Sequence, residues 1–263
     1  MLNLNLTLVQ APLVWENIDA NLERFDAWID ALDEPTDLII LPEMFSTGFS
    51  VASANLAESM QGKAVNWMRR KAAERNAVIT GSLMITENQR CYNRLIWARP
   101  DGRLDAYDKR HLFPGGEDAI CTAGRDLLTV ELQGWKVRPF ICYDLRFPVW
   151  NRNIDKAYDL AIYVANWPAR RAAHWRILLQ ARAIENQVFV AAVNRVGQDG
   201  KGHHFSGFST LIDPKGQRLF EQQDLACRPT LTLRREALTR YRDKFPAWMD
   251  ADGDMVRTVE PQV

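Results

Sequence analysis

Val137-Arg138-Pro139-Phe140-Ile141-Cys142-Tyr143-Asp144-Leu145-Arg146-Phe147-Pro148 is the stretch on which the reading of this chain turns. Its first half is strand-like and its second half helix-like, so a strand delivers Cys142 to a sharp junction. The arrangement is that of a nucleophile elbow, which holds a reactive side chain out at the end of a sheet strand. A cysteine at the mouth of a helix also faces unsatisfied backbone N–H groups, whose partial positive charge favours the thiolate, the nucleophilic form. Most cysteines of reduced proteins are nevertheless small buried apolar residues. The rest of the chain has to decide between the two for Cys142.

On either side of it, residues 127–132 and 135–141 form a pair of strands leading into Cys142, and residues 159–164 are another strand of buried character. Residues 170–186 carry Trp175, Leu178, Leu179 and Ala183 at helical spacing with basic residues between, and residues 188–193 return as a strand. Residues 197–202 read as a polar loop, followed by a hairpin of 205–212 and 217–220 around Asp213-Pro214-Lys215-Gly216. On the other side, residues 2–10 alternate as a strand, 14–32 are helical, and 37–42 are an apolar strand stopped by Pro42. A helix over 64–75, a strand over 77–85 and a hairpin of 91–98 and 103–107 around Arg99-Pro100-Asp101-Gly102 complete the first half. Strands alternating with helices, with hairpins inserted, give an α/β sheet protein with its helices outside. No linker interrupts this order, so residues 1–263 read as one domain. The stretch 241–263 holds Lys244-Phe245-Pro246-Ala247-Trp248-Met249, too aromatic for an inert tail, and is expected to pack on the domain or on a partner subunit.

Composition narrows the function classes. Lys+Arg and Asp+Glu balance at 33 each, which leaves no basic footprint for nucleic acid or an anionic membrane and favours a small-molecule partner. The four cysteines, Cys91, Cys121, Cys142 and Cys227, form no CxxC pair, and the first residues lack the pattern of a signal peptide, so a reduced, cytoplasmic protein is expected. No apolar run is long enough for a bilayer. Neither GxxxxGK[ST] nor GxGxxG is present, which argues against a nucleotide site, and His203-His204 has no third ligand spaced with it for a metal.

Three residues each follow an apolar strand: Glu43 after 38–42, Lys109 after the first hairpin, and Cys142. Ligand sites of open α/β sheets lie outside the carboxyl ends of strands, so the three are candidates for one pocket. Charged residues are usually solvated surface, but a carboxylate, an ammonium and a thiol together are the parts of acyl transfer through a thioester.

With these residues in view, the sequence resembles the nitrilase superfamily of carbon-nitrogen hydrolases. Leu41-Pro42-Glu43-Met44-Phe45 matches its glutamate motif, Tyr107-Asp108-Lys109-Arg110-His111-Leu112-Phe113 its lysine motif, and Cys142-Tyr143-Asp144-Leu145-Arg146-Phe147-Pro148 its cysteine motif, in family order. Ala165-Asn166-Trp167-Pro168, Ala181-Arg182-Ala183-Ile184-Glu185-Asn186 and Asn194-Arg195-Val196-Gly197 look most like the omega-amidase branch, which hydrolyses the terminal amide of α-keto acids such as 2-oxoglutaramate. The resemblance implies a four-layer α-β-β-α sandwich that pairs into homodimers and works with no metal and no organic cofactor. Residues 114–121 depart from the family's aromatic-rich loop, although Glu117 aligns with its second glutamate.

By this resemblance Glu43 is the general base that takes the thiol proton of Cys142 and later activates water. Lys109 and the backbone N–H of Tyr143 stabilise the oxyanion. Glu117 orients Lys109 and positions the leaving amine, or is merely a solvated loop acid. Arg146 either grips a substrate carboxylate with its bidentate fork or braces the helix or a dimer contact. The expected reaction is hydrolysis of the terminal amide of a small keto or dicarboxylic acid, releasing ammonia. Another amide, a carbamoyl compound or a nitrile remains open under the same mechanism. A non-catalytic scaffold of this fold would show one of the three positions broken, and none is.

Overall fold

The computed structural model describes residues 3–50 and 55–253. In chain order its strands and helices are β1 (Leu4–Leu8), α1 (Ile18–Asp30), β2 (Leu38–Ile40), α2 (Lys63–Arg75), β3 (Val78–Glu87), β4 (Arg90–Ala98), β5 (Leu104–Asp108), α3 (Glu117–Ile120), β6 (Val130–Leu132), β7 (Trp135–Ile141), β8 (Leu160–Ala165), α4 (Ala172–Asn186), β9 (Phe189–Asn194), β10 (Val196–Gln198), β11 (His204–Ile212), β12 (Arg218–Gln223), β13 (Thr230–Leu233) and α5 (Arg235–Lys244). One sheet of six strands runs β13-β1-β2-β3-β4-β5. A second, of seven, runs β11-β9-β8-β7-β6, with β10 and β12 both paired to β11. The central pairs, β1–β2–β3 in one sheet and β7–β8–β9 in the other, are parallel.

Side-chain alternation stacks these sheets. From β1, Leu4, Leu6 and Leu8 point into a core shared with Val137 and Ile141 of β7 and Ile162 and Val164 of β8. The opposite face of the first sheet, with Ile39 and Ile79, packs on Phe25 and Ile29 of α1 and Met68 of α2. The opposite face of the second sheet, with Ala161, Tyr163 and Val190, packs on Trp175, Leu179 and Ala183 of α4. The result is the expected α-β-β-α sandwich. It explains why β8 is apolar throughout: both of its faces are covered.

Element boundaries depart from the sequence reading for local reasons. Helix α1 starts at Ile18 rather than Val14 because Asn17 caps it, its side chain accepting from the Ala20 N–H at 3.0 Å, while Glu16 sits at a φ of 53°. The expected loop at 197–202 is partly strand, since Val196–Gln198 pairs with the start of β11. Strand β13 and helix α5 are additions. β13 is four residues long, and α5 buries little more than Leu238 and Arg242.

At the chain's end, Gln187 Nε2 donates to the Phe245 carbonyl at 2.8 Å, and the Lys156 ammonium lies 3.7 Å from the centre of the Trp248 ring. The remainder of the 241–263 stretch, from 254 onward, lies outside the described residues, as does the expected strand start at Leu2. No helix among the described residues is long and apolar enough to cross a membrane.

Candidate active site

The three residues expected to meet do so at one end of the two sheets. β2 and β5 of the first sheet deliver Glu43 and Lys109, and β7 of the second delivers Cys142. Lys109 Nζ stands 2.9 Å from Glu43 Oε1 and 2.8 Å from Glu117 Oε2, with all three side chains buried. The Cys142 thiol faces this cluster closely enough to feel the charges of Glu43, Lys109 and Glu117. Glu117 is 1% exposed, so the alternative of a solvated loop acid does not hold. Gly124 helps to place the lysine. Its N–H donates to the Lys109 carbonyl at 2.9 Å, and a Cβ there would sit 2.1 Å from the Asp108 carbonyl oxygen, so only glycine allows this approach.

Charge is unevenly distributed in this cluster, with two carboxylates sharing one ammonium. Burial opposes the charge on Lys109, but Glu117 and Glu43 together hold it well above the usual lysine range. Burial raises Glu117, reinforced by Glu43 and opposed by Lys109. Four donor contacts nonetheless converge on Glu117: Lys109 Nζ on both oxygens, Asn93 Nδ2 on Oε1, and the Phe113 N–H on Oε2.

Cys142 corrects the sequence reading. Burial first, and then the negative charge of Glu43, push its thiol well above the usual cysteine range despite Lys109. The expected helix mouth is a five-residue 3-10 turn, Cys142–Arg146, too short to offset two buried carboxylates. The elbow itself is present: Cys142 has a φ of 44°, a left-handed conformation that is strained for a non-glycine residue.

Three further residues hold the arrangement and were given no role from sequence. Asn93 Nδ2 bridges Glu43 Oε1 at 2.9 Å and Glu117 Oε1 at 2.8 Å. Asn166, just past β8, donates its N–H to Glu43 Oε2 at 2.7 Å and its Nδ2 to the Glu43 carbonyl at 2.6 Å. Asp144 accepts from the Ile141 N–H at 3.1 Å, from the Tyr107 hydroxyl at 2.7 Å and from the His111 N–H at 2.9 Å. It therefore ties the cysteine turn to the lysine loop, while the His111 ring stacks on Phe147 at 3.8 Å. Asn93 had a readable signal, since it shares the inward face of β4 with Leu95 and Trp97, where a polar residue needs a partner.

A cavity of about 130 Å³ opens over Cys142, walled by Phe49, Phe113 and Trp167, with Arg146 and Arg171 among its lining residues. Tyr143 follows the cysteine, its ring edge-on to Phe113 at 5.4 Å. The Arg146 guanidinium lies 4.8 Å from the Trp167 ring centre and 3.2 Å from His174 Nδ1. Arg171 lies over Phe113, and desolvation followed by the nearby Arg170 and Arg146 charges lowers it from the usual arginine range. Among the described residues neither Arg146 nor Arg171 has a carboxylate partner. His203 is engaged by Asp199 at 3.0 Å, and no three acidic, histidine or cysteine side chains among the described residues converge as metal ligands.

The sequence profile of the carbon-nitrogen hydrolase family matches residues 5–226. The omega-amidase YafV of Escherichia coli K12 is 47% identical over 255 residues, covering 96% of this chain and 98% of that protein. The 2-oxoglutaramate amidase of Bacillus subtilis is 32% identical over 95% of this chain and 98% of its own length. Among solved structures, XC1258 from Xanthomonas campestris, a CN-hydrolase superfamily protein with an arsenic adduct in its active site, superposes with a TM-score of 0.94 at 45% identity, over 96% of this chain and 98% of that one.

Proposed function

The chain belongs to the carbon-nitrogen hydrolase family, and from that premise we propose that it is an omega-amidase, releasing ammonia from the terminal amide of a short acid of the 2-oxoglutaramate type. The observation that carries the substrate class is the pair Arg146 and Arg171. Two guanidiniums without carboxylate partners among the described residues line a small aromatic-walled cavity beside the thiol, and a carboxylate buried there without such donors would be costly.

In the proposed reaction Glu43 takes the proton from Cys142 Sγ as sulfur attacks the amide carbon. A thiol held above its usual range needs that base at the moment of attack, because little thiolate stands ready. The carbonyl oxygen becomes an oxyanion received by Lys109 Nζ and the Tyr143 N–H. The tetrahedral intermediate collapses, the carbon–nitrogen bond breaks, and ammonia leaves with the proton that Glu43 held. Glu43 then takes a proton from water, which attacks the thioester, and the acid departs as Cys142 regains its proton. Glu117 keeps Lys109 aimed throughout.

The whole chain, 1–263, is assigned to this one domain. Its compartment is the cytoplasm, where four free thiols suit a reducing milieu. We infer a homodimer, supported by Ile177 and Ile184 on α4, which are 65% and 47% exposed on the outer layer. Sedimentation at micromolar concentration tests the dimer, and a monomer would overturn it. The activity is tested by ammonia release from 2-oxoglutaramate, glutamine, a carbamoyl amino acid and a neutral aliphatic amide or nitrile. The expected result is the highest kcat/KM for the keto acid, and a preference for the neutral amide or nitrile would overturn the omega-amidase reading.

A further inference from the structure

Behind the catalytic cluster lies a second group of reactive atoms that the proposed reaction does not use. Cys91 lies at the start of β4, and Cys121 directly follows α3. Both side chains pack in one small cluster with Met44 and Met84, where Cys121 Sγ donates to Met84 Sδ at 3.6 Å. The backbones run side by side, with the Cys91 carbonyl accepting from the Thr122 N–H at 2.7 Å. The two thiols differ in kind. Cys91 is half-buried, and the neighbouring Cys121 thiol, its largest influence, lowers it to about 7. Cys121 is buried, and the Cys91 thiol in turn pushes it upward. Cys91 is therefore partly ionised at neutral pH while Cys121 keeps its proton beside it.

We propose that Cys91 and Cys121 are a peroxide-sensitive dithiol that closes reversibly to a disulfide and slows turnover by pulling on α3. In the first step the Cys91 thiolate attacks one oxygen of hydrogen peroxide. A sulfur–oxygen bond forms, the oxygen–oxygen bond breaks, and the hydroxide released takes up a proton to become water. In the second step Cys121 sulfur attacks the sulfenic sulfur of Cys91. The disulfide forms, the sulfenic oxygen leaves as a second water, and it carries the Cys121 proton. Two thiols have lost two electrons and peroxide has gained them.

Closure must bring the two sulfurs from side-by-side packing to about 2.05 Å, and Cys121 bears the displacement. Its N–H is bonded to the Glu117 carbonyl at 2.8 Å across the four residues of α3, and the Glu117 carboxylate holds Lys109. This effect on turnover rests on the role proposed above for Glu117, whereas the disulfide itself does not. The other two thiols serve as internal standards. Cys227 is raised by burial to about 11, and Cys142 is also raised.

The experiment treats full-length Cys142→Ser protein with hydrogen peroxide, alkylates the remaining thiols and maps the peptides by mass. Cys91 and Cys121 should appear as one linked species about 2 Da lighter than the two free peptides, and dithiothreitol should separate them. In parallel, wild-type enzyme assayed for ammonia release from 2-oxoglutaramate should lose about tenfold in kcat and recover it with dithiothreitol, since displacing a positioned group by about 1 Å costs that much or more. Cys91→Ser should start with wild-type activity and resist the treatment. Cys121→Ser, which leaves Cys91 without its resolving partner, should trap a sulfenic acid on Cys91 that dimedone labels. The site is overturned if Cys91 and Cys121 stay alkylatable after Cys227 has oxidised, or if Cys121→Ser gives no dimedone adduct at Cys91. A linked wild-type enzyme with undiminished kcat overturns the effect on turnover.

Discussion

The two ends of the sandwich each bury a cluster of charges, with opposite proportions. At the carboxyl ends of β2, β5 and β7, two carboxylates share one ammonium. At the amino end of β8, one carboxylate is shared by two guanidiniums: Asp159 accepts from Arg242 at 2.7 Å and from Arg235 at 2.6 Å, and Arg242 also donates to the Tyr158 and Gln187 carbonyls. The second arrangement carries its surplus positive charge on Arg235, which reaches solvent, and on Arg242, which finds carbonyl acceptors, and it pins α5 to the sheet ends. The first leaves a surplus of negative charge beside a thiol, which keeps the thiol protonated and supplies the base that can take its proton. In the proposed reaction, buried ion pairs are thus used once to fasten and once to react, and the ratio of signs distinguishes the uses.

Glu43→Gln and Cys142→Ala should have the largest effects at the reactive end. Each should lower turnover by about 10⁴-fold or more while melting within a few degrees of wild type, read by ammonia release and calorimetry. A folded variant that keeps its turnover would remove that residue from the reaction. Lys109→Met should lower kcat by about 10²- to 10³-fold, the usual cost of one oxyanion donor, with little change in KM. It should also destabilise, because two buried carboxylates lose their cation. Adding Glu117→Gln should then restore part of the stability and none of the turnover, and recovery of both together would contradict a division between charge balance and chemistry.

At the opposite end, Asp159→Asn should cost about 3 kcal/mol of stability in denaturant titration with kcat unchanged, since it strands two arginines. Arg146→Ala tests which of the two behaviours an arginine at the reactive end follows. It should weaken carboxylate-bearing amides by about 2 kcal/mol, roughly thirtyfold in kcat/KM, and leave neutral amides and the melting point alone. A stability loss without a change in substrate preference would make it a brace.

The smallest effect is on acid stability. Burial opposes the charge of Asp159, yet the hydrogen bonds from Arg235 and the Lys136 N–H hold its carboxyl below the usual 3.8. A folded value below the unfolded one contributes stability that is present above the unfolded value and lost as pH falls through the folded one. The stability gap between wild type and Asp159→Asn should therefore hold at neutral pH and shrink below about pH 4. A gap independent of pH would mean that packing, not charge, anchors α5.

Glu43, Lys109 and Cys142 were legible because each follows an apolar strand run, a pattern carried by neighbouring residues. Asn166 and Asp144 stood inside readable motifs but take their roles from partners 123 and 37 residues away, Glu43 and Tyr107, which no local pattern specifies. α5 escaped notice because its buried residues include Arg242, whose burial makes sense only beside Asp159. The protonation of Cys142 was misjudged for the same reason: the turn after it can be read from sequence, but the carboxylates facing it come from distant places in the chain, Glu43 past β2 and Glu117 at the start of α3.

Asp144 adds a consequence for how activity is acquired. It bonds Ile141 on one sheet and Tyr107 on the other, and the reacting groups are split between those sheets in the same way. A refolding chain can form each sheet completely and still possess no working centre, so recovered turnover should lag behind recovered backbone signal. The delay times the moment at which the two halves close on each other, and lengthening it selectively with Asp144→Asn would make the enzyme a clock for its own assembly.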